Sequence, residues 1–363
     1  MTGHGAPRTI LIAPDSFKGS LTSVQVARAL ADGWLAARPG DTIVLCPLAD
    51  GGEGTLEAIA AAGGWTWQTA SVRDPLGRPI SARWLRSADG AHAVIEMAEA
   101  SGLSRLIPSE RDPIGATSIG TGDLLATAID QGVRRITLGI GGSATTDGGL
   151  GLLTALLEQS PEPRLRAVNL EVACDVSNPL LGPTGAAAIF GPQKGATPEQ
   201  VSQLDERNAR WADELEAREG RRERDTPGAG AAGGVGFALL TIQDHFGSFA
   251  LRPGVDLVME AANFDGHLAR ADLVITGEGR IDAQTGYGKT ALGVARRAAT
   301  AGVPCVAVGG GVEPDGIAAL AEVGAIAVPV SESPQTVEQA MGAGTAPLVR
   351  CGERLARVAS IWG

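Results

Sequence analysis

The sequence predicts an α/β protein of two α/β domains. One has a parallel sheet drawn from both ends of the chain; the other, of mixed character, is inserted into it. Three observations predict this. Residues 9–62 read twice as apolar strand, polar loop and amphipathic helix. Residues 66–85 break that rhythm with two extended runs around Asp74-Pro75-Leu76-Gly77, a hairpin signature. From about residue 270 the strand–helix alternation returns. A length of 363 residues suits two domains. The expected division is 1–75 with 270–363 as the discontinuous domain and 76–269 as the insertion, with the active site in the cleft between them.

In chain order, residues 9–12 form a short apolar, β-branched strand. Val24, Ala27, Leu30 and Trp34 then recur at helical spacing, with Ser20 or Thr22 as the N-cap. Asp15, Ser16 and Lys18 therefore stand on a strand-to-helix loop, where open α/β sheets bind ligands. The second unit repeats the pattern. Strand 42–46 ends in Asp50-Gly51-Gly52-Glu53-Gly54-Thr55, and a helix starts near Leu56.

After the hairpin, 92–97 is a strand and 123–131 a helix. Strand 135–140 runs into Gly141-Gly142-Ser143-Ala144-Thr145-Thr146-Asp147-Gly148-Gly149. Glycines and hydroxyls after a strand let backbone N–H groups approach an oxyanion, and Asp147 among them suits Mg²⁺ or a hydroxyl. The competing reading is a plain surface loop. Strand 172–176 carries Asp175 at its end. Gln193-Lys194-Gly195 follows, then Thr197 as N-cap and Pro198 at the first helical position. The helix to about residue 219 is charge-laced, with Leu204, Trp211 and Leu215 on one face, and is expected to be a solvated surface helix. Strand 272–275 feeds Thr276-Gly277-Glu278-Gly279-Arg280-Ile281-Asp282, with Lys289 further on, before a helix at 291–301. Strands 303–308 and 325–328 flank helix 313–322, and a packing helix closes the chain at 347–361.

Two motifs mislead. Gly228-Ala229-Gly230-Ala231-Ala232-Gly233 has the letters of a dinucleotide fingerprint but follows no strand. Gly288-Lys289-Thr290 resembles the end of a P-loop, but the required first glycine is Ala283.

Composition narrows the function. A net charge of -11 and 4% aromatic residues argue against a nucleic-acid partner. No apolar run reaches the roughly 18 residues of a membrane span. Four separated cysteines read as reduced thiols of a cytoplasmic protein. Of 30 basic residues only Lys18, Lys194 and Lys289 are lysine, and each touches a glycine. Lysine is the compact charge that suits phosphate. No histidine lies in a glycine-rich loop, which disfavours a Ser-His-Asp or Cys-His hydrolase. Acids, lysines and hydroxyls on glycine-rich loops suit phosphoryl transfer: lysines for phosphate oxygens, one acid for the hydroxyl proton, another for Mg²⁺.

The motifs Ala13-Pro14-Asp15-Ser16-Phe17-Lys18-Gly19, Ala49 to Thr55, Gly141 to Thr145, Ala173-Cys174-Asp175-Val176, Gly191-Pro192-Gln193-Lys194-Gly195 and Thr276 to Asp282 together resemble the type I glycerate kinase family over nearly the whole chain. The resemblance implies ATP- and Mg²⁺-dependent phosphorylation of D-glycerate at the 2-hydroxyl, and a flavodoxin-like domain built from both chain ends. The expected catalytic residues are Asp15, Lys18, Asp175 and Lys194. Expected binding residues are Ser16, Asp50, Gly51, Gly52, Glu53, Gly54, Thr55, Gly141, Gly142, Ser143, Thr145, Asp147, Glu278, Arg280, Asp282 and Lys289, with Glu278 and Asp282 as Mg²⁺ ligands. The expected partners are glycerate and ATP, with no nucleic acid or membrane and with room for a homodimer. Two departures stand out: Thr146 where the family usually has Asn, and a short segment at 153–170. The alternatives are a kinase for another small hydroxy or sugar acid, phosphorylation at the 3-position, and a sugar-acid sensor without turnover.

Overall fold

The computed structural model describes residues 6–283, 285 and 290–361. The β-branched runs form strands β1 (Thr9–Pro14), β2 (Thr42–Leu45), β3 (Trp65–Arg73), β4 (Pro79–Ser87), β5 (His92–Glu96), β6 (Arg135–Gly139), β7 (Asn169–Ala173), β8 (Ser248–Arg252), β9 (Leu273–Ile281), β10 (Cys305–Val312) and β11 (Ile326–Pro329). The chain forms two compact units, residues 1–50 with 57–63 and 258–363, and residues 51–56 with 64–257.

The first unit holds a five-stranded sheet in the order β11-β10-β9-β1-β2. Every neighbouring pair is parallel. Counted along this unit alone, that is the 2-1-3-4-5 order of flavodoxin-like sheets, whose order reverses between β1 and β9. Ala13 pairs with Thr276 and Pro14 with Gly277 there. Ile10 to Ala13 of β1 and Val274-Ile275 of β9 are apolar and buried, as the inner part of a sheet covered on both faces requires, whereas the later part of β9 carries Glu278 and Arg280. Ile10, Ile12, Leu30, Trp34, Ile275 and Val308 share one core. The helix Ser23–Ala37 starts at Thr22, whose side chain caps the Gln25 N–H and whose own N–H is capped in return.

The second unit holds a six-stranded sheet in the order β3-β4-β5-β6-β7-β8. The β3–β4 and β4–β5 pairs are antiparallel; β5 to β8 run parallel, each beside its neighbour in sequence. The hairpin pairs from Trp65↔Ser87 to Arg73↔Pro79, and the Asp74 carboxylate closes its turn by accepting from the Leu76 and Arg78 N–H groups. A boundary at residue 75 would cut this hairpin, so the unit starts at 64; it ends at 257 instead of 269. Residues 51–56 also belong to it. A Cβ on Gly139 would lie 2.4 Å from the Gly51 carbonyl oxygen, and one on Gly141 would lie 2.6 Å from the Gly52 Cα. The Gly51-Gly52 backbone thus lies directly on the carboxyl end of β6. Trp84, Ile95, Leu138, Leu152, Val172 and Phe237 belong to the large core of this unit.

The helix Pro198–Glu219 opens on Thr197 with Pro198 in its first turn, as expected. It is not a merely solvated helix. Leu204, Asn208, Ala212, Leu215 and Glu216 are buried, and Ala212 and Leu215 join the core. The apolar positions at three- and four-residue spacing outweigh the charge of the opposite face. All four cysteines are free thiols, and burial pushes Cys46 and Cys305 up to about 12. Among the described residues no helix is long and apolar enough to cross a membrane.

Candidate active site

The first unit gathers Asp15, Ser16, Lys18, Asp50, Glu278 and Asp282 around the carboxyl ends of β1 and β9. Parallel pairing sets the end of β1, Pro14, beside Gly277, and β9 runs on past it to Ile281. The Asp15 N–H donates to the Gly277 carbonyl at 2.8 Å, and Thr276 Oγ1 donates to the Ala13 carbonyl at 2.8 Å. Asp15 is 8% exposed. It accepts from the Ser16 N–H at 2.6 Å and from Thr290 Oγ1 at 2.7 Å. Burial, and after it the charge of Asp50, raise its carboxyl above the ordinary range despite those bonds. Lys18 Nζ donates to Asp50 at 2.9 Å, with 74% of the lysine side chain exposed. Burial alone would lower the Lys18 ammonium, but the Asp50 carboxylate reverses this, with Asp15 and Glu278 adding to it, and the group stays charged. Glu278 is buried and accepts from Thr285 Oγ1 at 2.8 Å, while the same Thr285 oxygen accepts from the Asp282 N–H at 3.1 Å. Arg280 is engaged by Glu313 at 3.0 Å and by Asp282 at 3.5 Å. Lys289 lies outside the described residues.

The second unit gathers the rest at the carboxyl ends of its parallel strands. Thr55 Oγ1 donates to the Gly52 carbonyl at 2.8 Å, and the Leu56 N–H donates to Glu96 at 2.7 Å. Glu53 lines a hollow of about 220 Å³ with Glu96, Ala98, Glu99, Ser104 and Arg105. Asp175 is exposed and accepts from the Gly254 N–H at 2.9 Å.

The loop after β6 is held from all sides. Lys194 Nζ donates to Ser143 Oγ at 2.9 Å and to the Thr145 carbonyl at 2.5 Å. Arg207 bridges the Ile114 and Thr146 carbonyls at 2.6 and 2.9 Å, and Trp211 Nε1 donates to the Gly148 carbonyl at 3.1 Å. Asp147 accepts from the Ser118 N–H and hydroxyl, both at 2.8 Å, and from the Gly149 and Gly151 N–H groups at 3.2 Å. Its carboxylate therefore orders the loop, and it is not poised for a metal ion. Lys194 is 5% exposed, and burial lowers its ammonium to about 7, against a smaller opposing pull from Asp147. Gly142 adopts φ +71°, and the N–H groups of Gly142, Ser143, Thr145 and Thr146 meet no acceptor among the described residues.

Sequence reasoning missed Arg207, Asn208 and Trp211. A signal was present: Asn208 is a polar residue on the buried stripe that includes Leu204 and Leu215. Thr285 and Thr290 were missed too, because only the fold brings them to Glu278 and Asp15.

Known proteins resemble this chain throughout. A model of the glycerate kinase family matches residues 10–159 and 158–360. A glycerate kinase of Halalkalibacterium halodurans is 46% identical over 328 residues, 83% of this chain and 85% of that protein. A glycerate 2-kinase of Escherichia coli K12 is 42% identical over 332 residues, 84% of this chain and 86% of that protein. The crystal structure of a candidate glycerate kinase 2 from Salmonella typhimurium LT2 superposes with a TM-score of 0.83 at 38% identity, covering 98% of this chain and 99% of the other.

Proposed function

The chain belongs to the glycerate kinase family, whose members transfer a phosphoryl group to an alcohol, and from that premise we propose that it phosphorylates the 2-hydroxyl of D-glycerate with ATP as donor. The observation that carries the reading is the placement of a buried acid, Asp15, and an exposed lysine, Lys18, on one loop after β1, at the point where the strand order reverses. In the transfer, the substrate hydroxyl oxygen bonds to the γ-phosphorus as the bond to the departing ADP oxygen breaks, and the hydroxyl proton goes to a carboxylate. Asp15 is our choice of acceptor. Its carboxyl lies above the ordinary range, whereas Asp50 is held in an ion pair. Lys18 places a positive charge where the transferring phosphoryl group carries negative charge. Asp175, exposed at the end of β7, is proposed as a polar contact.

Mg²⁺ fits the oxygen donors Glu278 and Asp282. It commonly takes one or two protein carboxylates and completes its shell with water and phosphate. Bound there, it would offset charge on the phosphates. Four free thiols are in keeping with a reducing compartment such as the cytoplasm.

The test supplies D-glycerate, ATP and Mg²⁺, measures ADP, and offers the product to enolase alone. Immediate conversion identifies 2-phosphoglycerate. ADP formation without conversion identifies the 3-isomer and overturns the proposed regiochemistry, and absence of ADP overturns the activity.

A further inference from the structure

Thr290 and Asp15 meet inside the first unit. Thr290 belongs to the helix Thr290–Ala301, and Asp15 to the loop after β1, 275 residues earlier. Both side chains are buried, Thr290 at 1% exposure and Asp15 at 8%. Thr290 Oγ1 donates to Asp15 Oδ2 at 2.7 Å, while Asp15 Oδ1 accepts from the Ser16 N–H at 2.6 Å. An ionised carboxylate has about four acceptor sites, so each oxygen keeps a site for a substrate hydroxyl. The two donors differ in kind. The Ser16 N–H belongs to the same loop and moves with it. Among the described residues Thr290 is the only donor to Asp15 from outside that loop. The terminal torsion of an aspartate is soft, so its partners set the plane of the carboxylate.

Asp15 also needs a partner to stay ionised. Burial, and after it the charge of Asp50, favour the neutral acid. The Thr290 hydroxyl is the first of the contacts that oppose them, ahead of the Ser16 N–H and Lys18. The other charges nearby are less direct. Glu278 on β9 acts on Lys18, and Arg296 and Arg297 stand more than a turn beyond Thr290 on its helix.

We propose that Thr290 is the positioning residue of the proton acceptor: its hydroxyl holds the Asp15 carboxylate in one plane and keeps it ionised, ready for the proton of the acceptor hydroxyl. Thr290 keeps its own proton throughout; the substrate proton passes to Asp15 and leaves it neutral. Valine at this position has the same shape without the donor. Asp15 Oδ2 would then be a buried acceptor short of a partner, and the carboxyl would hold its proton to a higher pH.

This inference rests on the reading of Asp15 as proton acceptor, and its test separates the two. Wild type and Asp15→Asn are assayed first with D-glycerate, ATP and Mg²⁺. Near-normal turnover in Asp15→Asn would remove the acceptor, and the role of Thr290 with it. Thr290→Val and Thr290→Ser are then compared with wild type, each checked for folding by circular dichroism. The readouts are kcat/KM for D-glycerate against pH, and the KM of ATP. Titration of the substrates is common to all three proteins and cancels. Losing one hydrogen bond to a carboxylate corresponds to about one unit of its pKa, or about tenfold in rate below it. The expected result is an acid limb displaced upward by about one pH unit in Thr290→Val, with turnover near wild type well above the limb. Thr290→Ser should restore the limb. With Asp15→Asn inactive, a uniform fall in kcat/KM and an unmoved limb in Thr290→Val would show a structural role and overturn the proposal alone. So would a raised ATP KM with the limb unmoved, or failure of serine to restore it. If Thr290→Val does not fold, Thr290→Ala is read in the same way. A direct readout needs no turnover. In protein isotope-labelled at its aspartate carboxyl carbons, the Asp15 NMR resonance is identified by its loss in Asp15→Asn. Its midpoint should rise by about one pH unit in Thr290→Val and not in Thr290→Ser; equal midpoints in all three proteins would refute the role of Thr290.

Discussion

At the residue scale, the two described lysines do opposite things for physical reasons. Lys18 is exposed and ion-paired, so its charge is secure at neutral pH. Replacing it with alanine should lower kcat by about 10² or more, as when a transition-state charge loses its partner; steady-state assays check this, and near-normal turnover would remove its role. Lys194 is buried, and its ammonium sits at about 7 instead of 10.5. Between those values the unfolded chain binds the proton that the folded chain has released. Stability therefore rises with pH across that window, and the penalty for burying the charge is complete only below about 7. Lys194→Met should be the more stable protein near pH 6, with its advantage over wild type shrinking towards pH 10. Urea midpoints of both proteins across that range test the sign. Both lysines were legible in the sequence as the rare cations of an arginine-rich chain. Their opposite environments were not, because burial is set by residues distant in sequence.

At the element scale, the informative feature is the grip of the helix Pro198–Glu219 on the loop after β6. The sequence reveals the start of this helix through Thr197 and Pro198, since capping is a local property. It does not reveal that Arg207 and Trp211 reach carbonyls 61 and 63 residues away. Trp211→Phe removes one donor from the Gly148 carbonyl and keeps the ring, so about 1 kcal/mol of stability should be lost in urea unfolding. Glycine at 141 has a packing reason beyond any ligand. Its Cβ would fall 2.6 Å from the Gly52 Cα, and backbone cannot step aside cheaply. Gly141→Ala should cost about 1–3 kcal/mol, as overpacking does, and should lower turnover as well by moving the loop. Unfolding midpoints and kcat read the two effects separately; a fully stable, fully active variant would show that the close approach is not needed.

At the scale of the whole molecule, each unit has its own core, centred on Trp34 with Leu30 in one and on Trp84 with Phe237 in the other. Hydrogen exchange should therefore show two protected cores, one around Trp34 and Leu30 and one around Trp84 and Phe237. Slow exchange confined to one of them would count against two independent cores. The sequence by itself determined the alternation of strands and helices, the hairpin around Asp74, the caps at Thr22 and Thr197 and the family of the chain, since periodicity, turn chemistry and motifs are local signals. Tertiary structure alone decided that β9 lies beside β1, that Thr290 reaches Asp15 across 275 residues, that Gly51-Gly52 belongs with β6, and that Lys194 is buried without a carboxylate. The reason is the same in each case: sheet order, close backbone approach and desolvation depend on which distant segments meet.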